Sequence, residues 1–238
     1  MNEENQSLTE NDTFSLTTLP EGKKAVGGGW VYNIKKNSDG SNRFNARFVT
    51  KGFSQTKGVD YEETFSPTAN LASVRILTQK VVQDVKTAYL HAPIDEEIYT
   101  EQPEGFETES SEKNKLVYRL GKSLHGLKQS GRTWNQTLHD YLSSCGFRQN
   151  PADNCVYSRE IESEKVIILV WVDALLIAAN NEKVLSDVKE MLSSKFTMKD
   201  LGKLNHFVGI DFLQEEECIK MSQKTYVENI LKRFHMRH

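Results

Sequence analysis

The sequence predicts an α+β fold, and three observations carry that prediction. Strand-like and helix-like runs are mixed along the chain without a regular βαβ repeat. The apolar, β-branched stretch Val166–Ala179 is too long for one ordinary strand and has an aspartate at its middle, so it folds as a hairpin. Two further segments repeat apolar residues at helical spacing. At 238 residues there is length for one large domain or two small ones sharing a core. No apolar run reaches the roughly 18 residues that a spanning helix needs, so no membrane partner is expected.

Taken in order, residues 1–21 are polar and acidic at their start, which predicts a disordered leader rather than a secretory or transit peptide. Trp30–Lys36 and Arg43–Thr50 flank an Asp39-Gly40 turn signal and read as a β-hairpin. Leu71–Val81 reads as a short helix followed at once by a strand, and Val117–Leu120 as a short strand. Between Thr133 and Cys145 the residues Trp134, Leu138, Tyr141, Leu142 and Cys145 fall on one helical face. Val184, Val188, Leu192 and Phe196 mark a second amphipathic helix. Leu204–Phe212 and Cys218–Met221 read as a β-pair around an acidic turn, and a last helix starts near Tyr226.

The net charge of −3 conceals strong segregation. Gly22–Gly58 carries eight Lys/Arg against one acid, His91–Glu112 eight acids and no Lys or Arg, and Lys113–Trp134 six Lys/Arg and no acid. Two basic blocks around an acidic one suit a polyanion-binding cleft that also needs carboxylates for metal. Charges paired across a solvated surface produce the same pattern, and charge alone leaves both open. Cys145, Cys155 and Cys218 form no CxxC pair, and the six histidines show no zinc spacing, so a reduced, intracellular setting is expected.

The chemistry concentrates at two aspartates. Asp173 falls at the tip of the apolar hairpin, where a lone carboxylate is costly unless something offsets it. A divalent metal, a lysine, or a turn capped by Asp173 itself all meet that need. Asp84, in the strand-like Val81-Val-Gln-Asp-Val, is the natural second ligand. Carboxylates from adjacent strand ends suit Mg²⁺, and in phosphoryl transfer two ions about 3.5–4 Å apart stabilise the attacking and leaving oxygens.

Seven stretches in order resemble one family. They are Asn45–Gln55 (NARFVTKGFSQ), Gly58–Pro67 (GVDYEETFSP), Asp84–His91 (DVKTAYLH), Tyr99–Phe106 (YTEQPEGF), Lys122–Gln129 (KSLHGLKQ), Trp171–Ala174 (WVDA) and Met198–Gly202 (MKDLG). Together they are similar to the reverse transcriptase domain of copia-type LTR retrotransposon Pol polyproteins, in a partial and degenerate copy. The resemblance implies a right-hand polymerase fold with a mixed, mainly antiparallel palm sheet and helices packed on one face. Residues 22–79 are then fingers-like, 80–221 the palm with fingers elements near 116–150, and 222–238 the start of a truncated thumb.

The same resemblance implies that Asp84 and Asp173 are catalytic. Both would hold two Mg²⁺ ions, or Mn²⁺, with the Val85 backbone carbonyl. It implies that Tyr89 is a steric gate against a ribose 2′-OH and that Gln129 packs the incoming nucleotide against the template base. Lys36 and Arg47 are then triphosphate contacts, although ordinary solvated hairpin charge explains them equally. Template RNA or DNA, a primer and deoxynucleoside triphosphates are the implied partners, in the cytoplasm or a cytoplasmic particle. Three departures bear on activity: Ala174 stands where the family has a second hairpin aspartate, the segment from Arg75 to Asp84 is short, and Gly131 replaces a usual proline. The implied function is an impaired RNA-directed DNA polymerase. The alternatives are a non-catalytic template/primer-binding remnant and a transposon fragment that does not fold stably.

Overall fold

Period-two and period-3.6 patterning give the elements their order. The computed structural model describes residues 1–36, 41–76, 81–108, 116–161, 163–215 and 219–236. The first half of the chain forms α1 (Asn2–Glu10), β1 (Phe14–Thr18), β2 (Gly28–Lys36), β3 (Asn42–Thr50), α2 (Leu71–Ile76), β4 (Val81–Val85), β5 (Tyr99–Thr100) and β6 (Leu116–Leu120). The second half opens with α3 (Ser130–Ser144), β7 (Arg148–Asn150), β8 (Asp153–Ile161), β9 (Glu164–Trp171) and β10 (Ala174–Ala178). It closes with α4 (Glu182–Lys195), β11 (Met198–Lys203), β12 (His206–Phe207), β13 (Ile210–Gln214), β14 (Ile219–Ser222) and α5 (Lys224–Arg233). Every strand pair within these sheets is antiparallel, as an α+β chain built from hairpins requires. The chain divides into two units, Met1–Ser66 with Thr87–Tyr141, and Pro67–Lys86 with Leu142–His238.

In the first unit, β2 and β3 pair from Gly28↔Thr50 to Lys36↔Asn42, and the Asn37–Gly40 tip lies outside the described residues. Alternation puts Trp30, Tyr32 and Ile34 on one face with Phe48, Ala46 and Phe44. The root of that face is buried: Phe48 meets the Trp30 ring edge-on at 5.7 Å and joins Leu8, Val26, Leu90, Ile98, Leu120 and Leu124 in one core. Leu8 corrects the sequence reading. In place of a disordered leader, the structure has α1, anchored by a Leu8 that is 1% exposed, and β1, paired along β6. Phe14 stacks on Tyr118 at 3.6 Å between ring centroids. One buried leucine in a polar helix leaves almost no periodic signal, because the apolar partners come from distant segments.

The second unit is a six-stranded sheet in the order β11-β4-β10-β9-β8-β7. The apolar stretch folds as expected: β9 and β10 pair with Trp171↔Ala174 closing a two-residue loop, Val172-Asp173. Parity then sorts the side chains. Val82, Leu169, Leu176 and Ala178 pack with Val74, Leu204, Phe207, Ile210 and Phe212 on one face. Ile168, Val170, Leu175 and Ile177 have the opposite parity, and α4 packs against β9 with Val184, Val188 and Leu192 buried. Asn181 caps α4, its side chain accepting from the amides of Lys183 and Val184. One strand expectation needs correction: Leu204–Phe212 is not one strand. The motif Met198–Gly202, given no element from sequence, lies in a strand at the sheet edge. Val208 and Gly209 both have positive φ, 51° and 74°, which is the sign pattern of a tight hairpin turn between β12 and β13.

Candidate nucleotidyl-transfer site

The register of the central sheet sets the geometry around Asp84. On one side β4 pairs with β10, Asp84 facing Ala174; on the other it pairs with β11, Asp84 facing Lys199. Ala174 in turn faces Trp171 on β9. Residues directly opposite one another in an antiparallel pair project to the same face, with Cβ atoms about 4.5–5.5 Å apart. Lys199, Asp84, Ala174 and Trp171 therefore form one row across four strands. The position beside Asp84 that is able to bring a second carboxylate is a methyl group.

Asp173 is delivered by the turn. It is exposed, and its backbone carbonyl accepts from the Val85 amide at 2.8 Å, so the tip of the β9–β10 loop is fastened to the strand end that carries Asp84. The preceding Val172 sits at φ 57° and is 46% exposed. A β-branched residue with positive φ is strained, and the pairing on both sides holds it there. The donor types (two carboxylates and the Val85 carbonyl) suit a hard divalent cation. Their number is small: among the described residues no three His, Cys, Asp or Glu side chains gather as a metal site. The donor types are those of a hard-cation site, and position 174, which faces Asp84, adds no carboxylate to them.

The remaining expected residues lie in the first unit. Tyr89 is half-buried in a 3-10 turn, Ala88–His91, entered through Thr87 at φ 51°. Its ring meets the His125 ring edge-on at 4.8 Å between centroids. Gln129 lies at the start of the segment that leads into α3. It is 1% exposed; its amide nitrogen donates to the Asp60 carbonyl at 2.9 Å and its amide oxygen accepts from Gln55 Nε2 at 3.2 Å. Gln55 is itself 5% exposed and accepts from the Lys128 amide at 2.8 Å. The two glutamines thus lock the segment after β3 to the segment before α3, with the Gln129 amide engaged at both its nitrogen and its oxygen.

Glycines make that crossing possible. Gly126 has φ +96°, and a Cβ there would collide with the Thr50 carbonyl oxygen; a Cβ at Gly52 would collide with the Gly126 carbonyl oxygen. Sequence reading missed Gln55, Gly52 and Gly126 as site supports, although all three stand inside the quoted motifs. Arg47 is exposed on β3, opposite Val31, on the face of the hairpin away from Phe48. Lys36 ends β2, and its side chain lies outside the described residues.

Against known proteins, residues 11–238 match the family model described as reverse transcriptase (RNA-dependent DNA polymerase). The chain is 38% identical over 250 residues to the retrovirus-related Pol polyprotein from transposon TNT 1-94 of Nicotiana tabacum, covering 100% of this chain and 19% of that protein. It is 35% identical over 236 residues to the Pol polyprotein from transposon RE1 of Arabidopsis thaliana, covering 95% of this chain and 16% of that protein. The chain thus spans under a fifth of these plant polyproteins. Among solved structures, a foamy viral protease-reverse transcriptase in complex with double-stranded DNA aligns over 93% of this chain and 34% of its own, with a TM-score of 0.43 and 12% identity. With a family model matched over nearly its whole length and two plant Pol polyproteins at more than a third identity, this chain belongs to the reverse transcriptase family, as a reverse transcriptase domain of copia-type transposon Pol polyproteins.

Proposed function

We propose that the chain binds a template with its primer and retains the frame of a two-metal nucleotidyl-transfer site whose chemistry is strongly impaired. One observation carries the impairment: the β4–β10 register sets Ala174 directly across from Asp84, where a second carboxylate belongs. On this reading Asp84 and Asp173, with the Val85 carbonyl, hold the divalent cation. Bound Mg²⁺ or Mn²⁺ supplies the acidity of the primer 3′-hydroxyl and the neutralisation of the leaving pyrophosphate. The residues do the rest by placement. The Val85 amide fixes the Asp173 backbone, Tyr89 shapes the sugar side against a 2′-hydroxyl, and Arg47 and Lys36 meet the triphosphate. Gln129 acts through Gln55 as a positioning residue. The six-stranded sheet serves as palm, the β2–β3 hairpin as part of the fingers, and α5 as the start of a thumb.

The test is primer extension on an RNA template with Mg²⁺, comparing the chain as it stands with Ala174→Asp and with the Ala174→Asp, Asp173→Asn double variant. Extension is expected to rise by about 10²-fold or more in Ala174→Asp and to vanish in the double variant. A parent chain already as fast as Ala174→Asp overturns the impairment. The missing acid also favours a second reading, in which the chain grips template and primer without chemistry. Binding then weakens steeply with salt, as phosphate contacts require, and survives Asp84→Asn.

A further inference from the structure

We propose that the Lys199 ammonium is a built-in counter-ion of Asp84 that a divalent cation has to displace, so that Lys199 sets how weakly this chain holds its metal. The inference rests on the metal reading above and deepens it, by naming the residue that governs ion affinity from the β11 side of Asp84. The pairing register carries it: Asp84 faces Ala174 on β10 and Lys199 on β11. Directly opposed residues project to one face with Cβ atoms about 4.5–5.5 Å apart, a gap that the four-carbon stem of lysine spans. Lys199 is exposed and Asp84 half-buried, so the ammonium can approach the carboxylate from the solvent side.

The surroundings leave Lys199 that task. Its neighbour Asp200 has the opposite parity and faces Gln83. There Lys189 of α4 holds one Asp200 oxygen at 2.8 Å, and the other accepts from the Gly202 amide at 2.8 Å. The acid adjacent to Lys199 in the chain is therefore engaged on the other face of the sheet. The backbone around the pair is fixed on both flanks of β4: the Val85 amide donates to the Asp173 carbonyl and the Lys86 amide to the Thr197 carbonyl, both at 2.8 Å. On the β10 side, Ala174 adds a methyl group and no charge. One ammonium thus offsets one carboxylate along the row. A dication arriving at Asp84 and Asp173 meets a carboxylate already compensated and a positive charge close by. Because Lys199 is exposed, its ammonium can swing out into water, so the penalty has the size of a surface ion pair.

The experiment uses the full chain with Mn²⁺ alone at low salt, the free ion being read by its electron paramagnetic resonance signal. Lys199→Gln is expected to lower the Mn²⁺ Kd by about fivefold, the worth of an exposed ion pair, and the gain is expected to shrink in about 0.5 M potassium chloride. Lys199→Arg keeps the charge and is expected to keep the parent Kd. Lys203→Gln removes the same charge from the same strand, opposite Val81, and is expected to leave the Kd within about twofold. Asp84→Asn, in the parent and in Lys199→Gln alike, is expected to remove the binding, which assigns the ion to this site. A Kd unchanged by Lys199→Gln, or lowered as much by Lys203→Gln, overturns the proposal and leaves the metal reading standing. Mn²⁺ binding that Asp84→Asn leaves intact, or no binding by either the parent or Lys199→Gln, overturns both.

Discussion

At position 174 a single methyl group decides how much negative charge the central row holds. Lys199, Asp84 and Ala174 face one another across three strands, so the present row balances one cation against one anion. Adding an acid at 174 sets two carboxylates directly opposite each other, which destabilises a strand pair unless a cation sits between them. Ala174→Asp is therefore expected to melt below the parent in a chelator and to gain more from added Mg²⁺, by the mass-action stabilisation a ligand gives the state that binds it. Equal Mg²⁺-dependence of the two melting temperatures means that a carboxylate at 174 adds nothing to a cation site beside Asp84. A neighbouring residue stores strain of a different kind. Val172 at φ 57° has a geometry that glycine adopts freely, so Val172→Gly is expected to stabilise the fold by about 1 kcal/mol in urea unfolding, provided the loop keeps its conformation.

Elements show where sequence is enough and where it is not. The β9–β10 hairpin was legible because its alternation and length demand a turn, and the structure puts Val172-Asp173 there. The amphipathic helices α3 and α4 were legible for the same reason of period. α1 was not, since its only fully buried side chain is Leu8, whose partners Val26, Phe48 and Leu120 are far along the chain. β11 was hidden because its side chains are mostly exposed at a sheet edge, so it carries polar residues and no apolar alternation. At the site, the aspartates were legible as chemistry, whereas the hydrogen bonding of Gln129 depends on Gln55, a partner that spacing alone does not reveal. The leader gives the sharpest check at this scale. Leu8→Ala is expected to cost about 2–5 kcal/mol in denaturant unfolding, the range for a buried leucine. A cost below about 0.5 kcal/mol, the level of an exposed site, means that α1 does not pack on this core.

For the molecule as a whole, the way stability depends on pH reports what holds the segment ahead of Asp84. Asp153, at the start of β8, accepts from the Ser73 hydroxyl at 2.6 Å and the Asn70 amide at 2.9 Å through one oxygen, and from the Cys155 amide at 3.0 Å through the other. It thereby ties α2, which leads into β4, to the sheet. Partial burial by itself raises the Asp153 pKa, but these three donors outweigh it and hold the carboxyl below its ordinary range. A depressed folded-state pKa contributes stability that is present above the unfolded value, near pH 4, and is lost as pH falls through the folded value. Asp200, bonded to Lys189, and Asp211, bonded to His206, are lowered too and act in the same direction. Glu4 opposes them: burial raises its pKa, so its contribution is present at low pH and lost as pH rises through the folded value. Salt separates the contributors, because it screens the exposed ion pairs but leaves the neutral donors around Asp153 intact. Unfolding free energy is therefore expected to fall between about pH 4 and pH 2, with much of that fall persisting in 1 M salt. Asp153→Asn is expected to flatten the persistent part and to lower stability at neutral pH by about 1–3 kcal/mol through the lost charge-assisted bonds. An acid limb that 1 M salt abolishes, or that Asp153→Asn leaves unchanged, shows that surface ion pairs, and not this tether, set the acid stability of the fold.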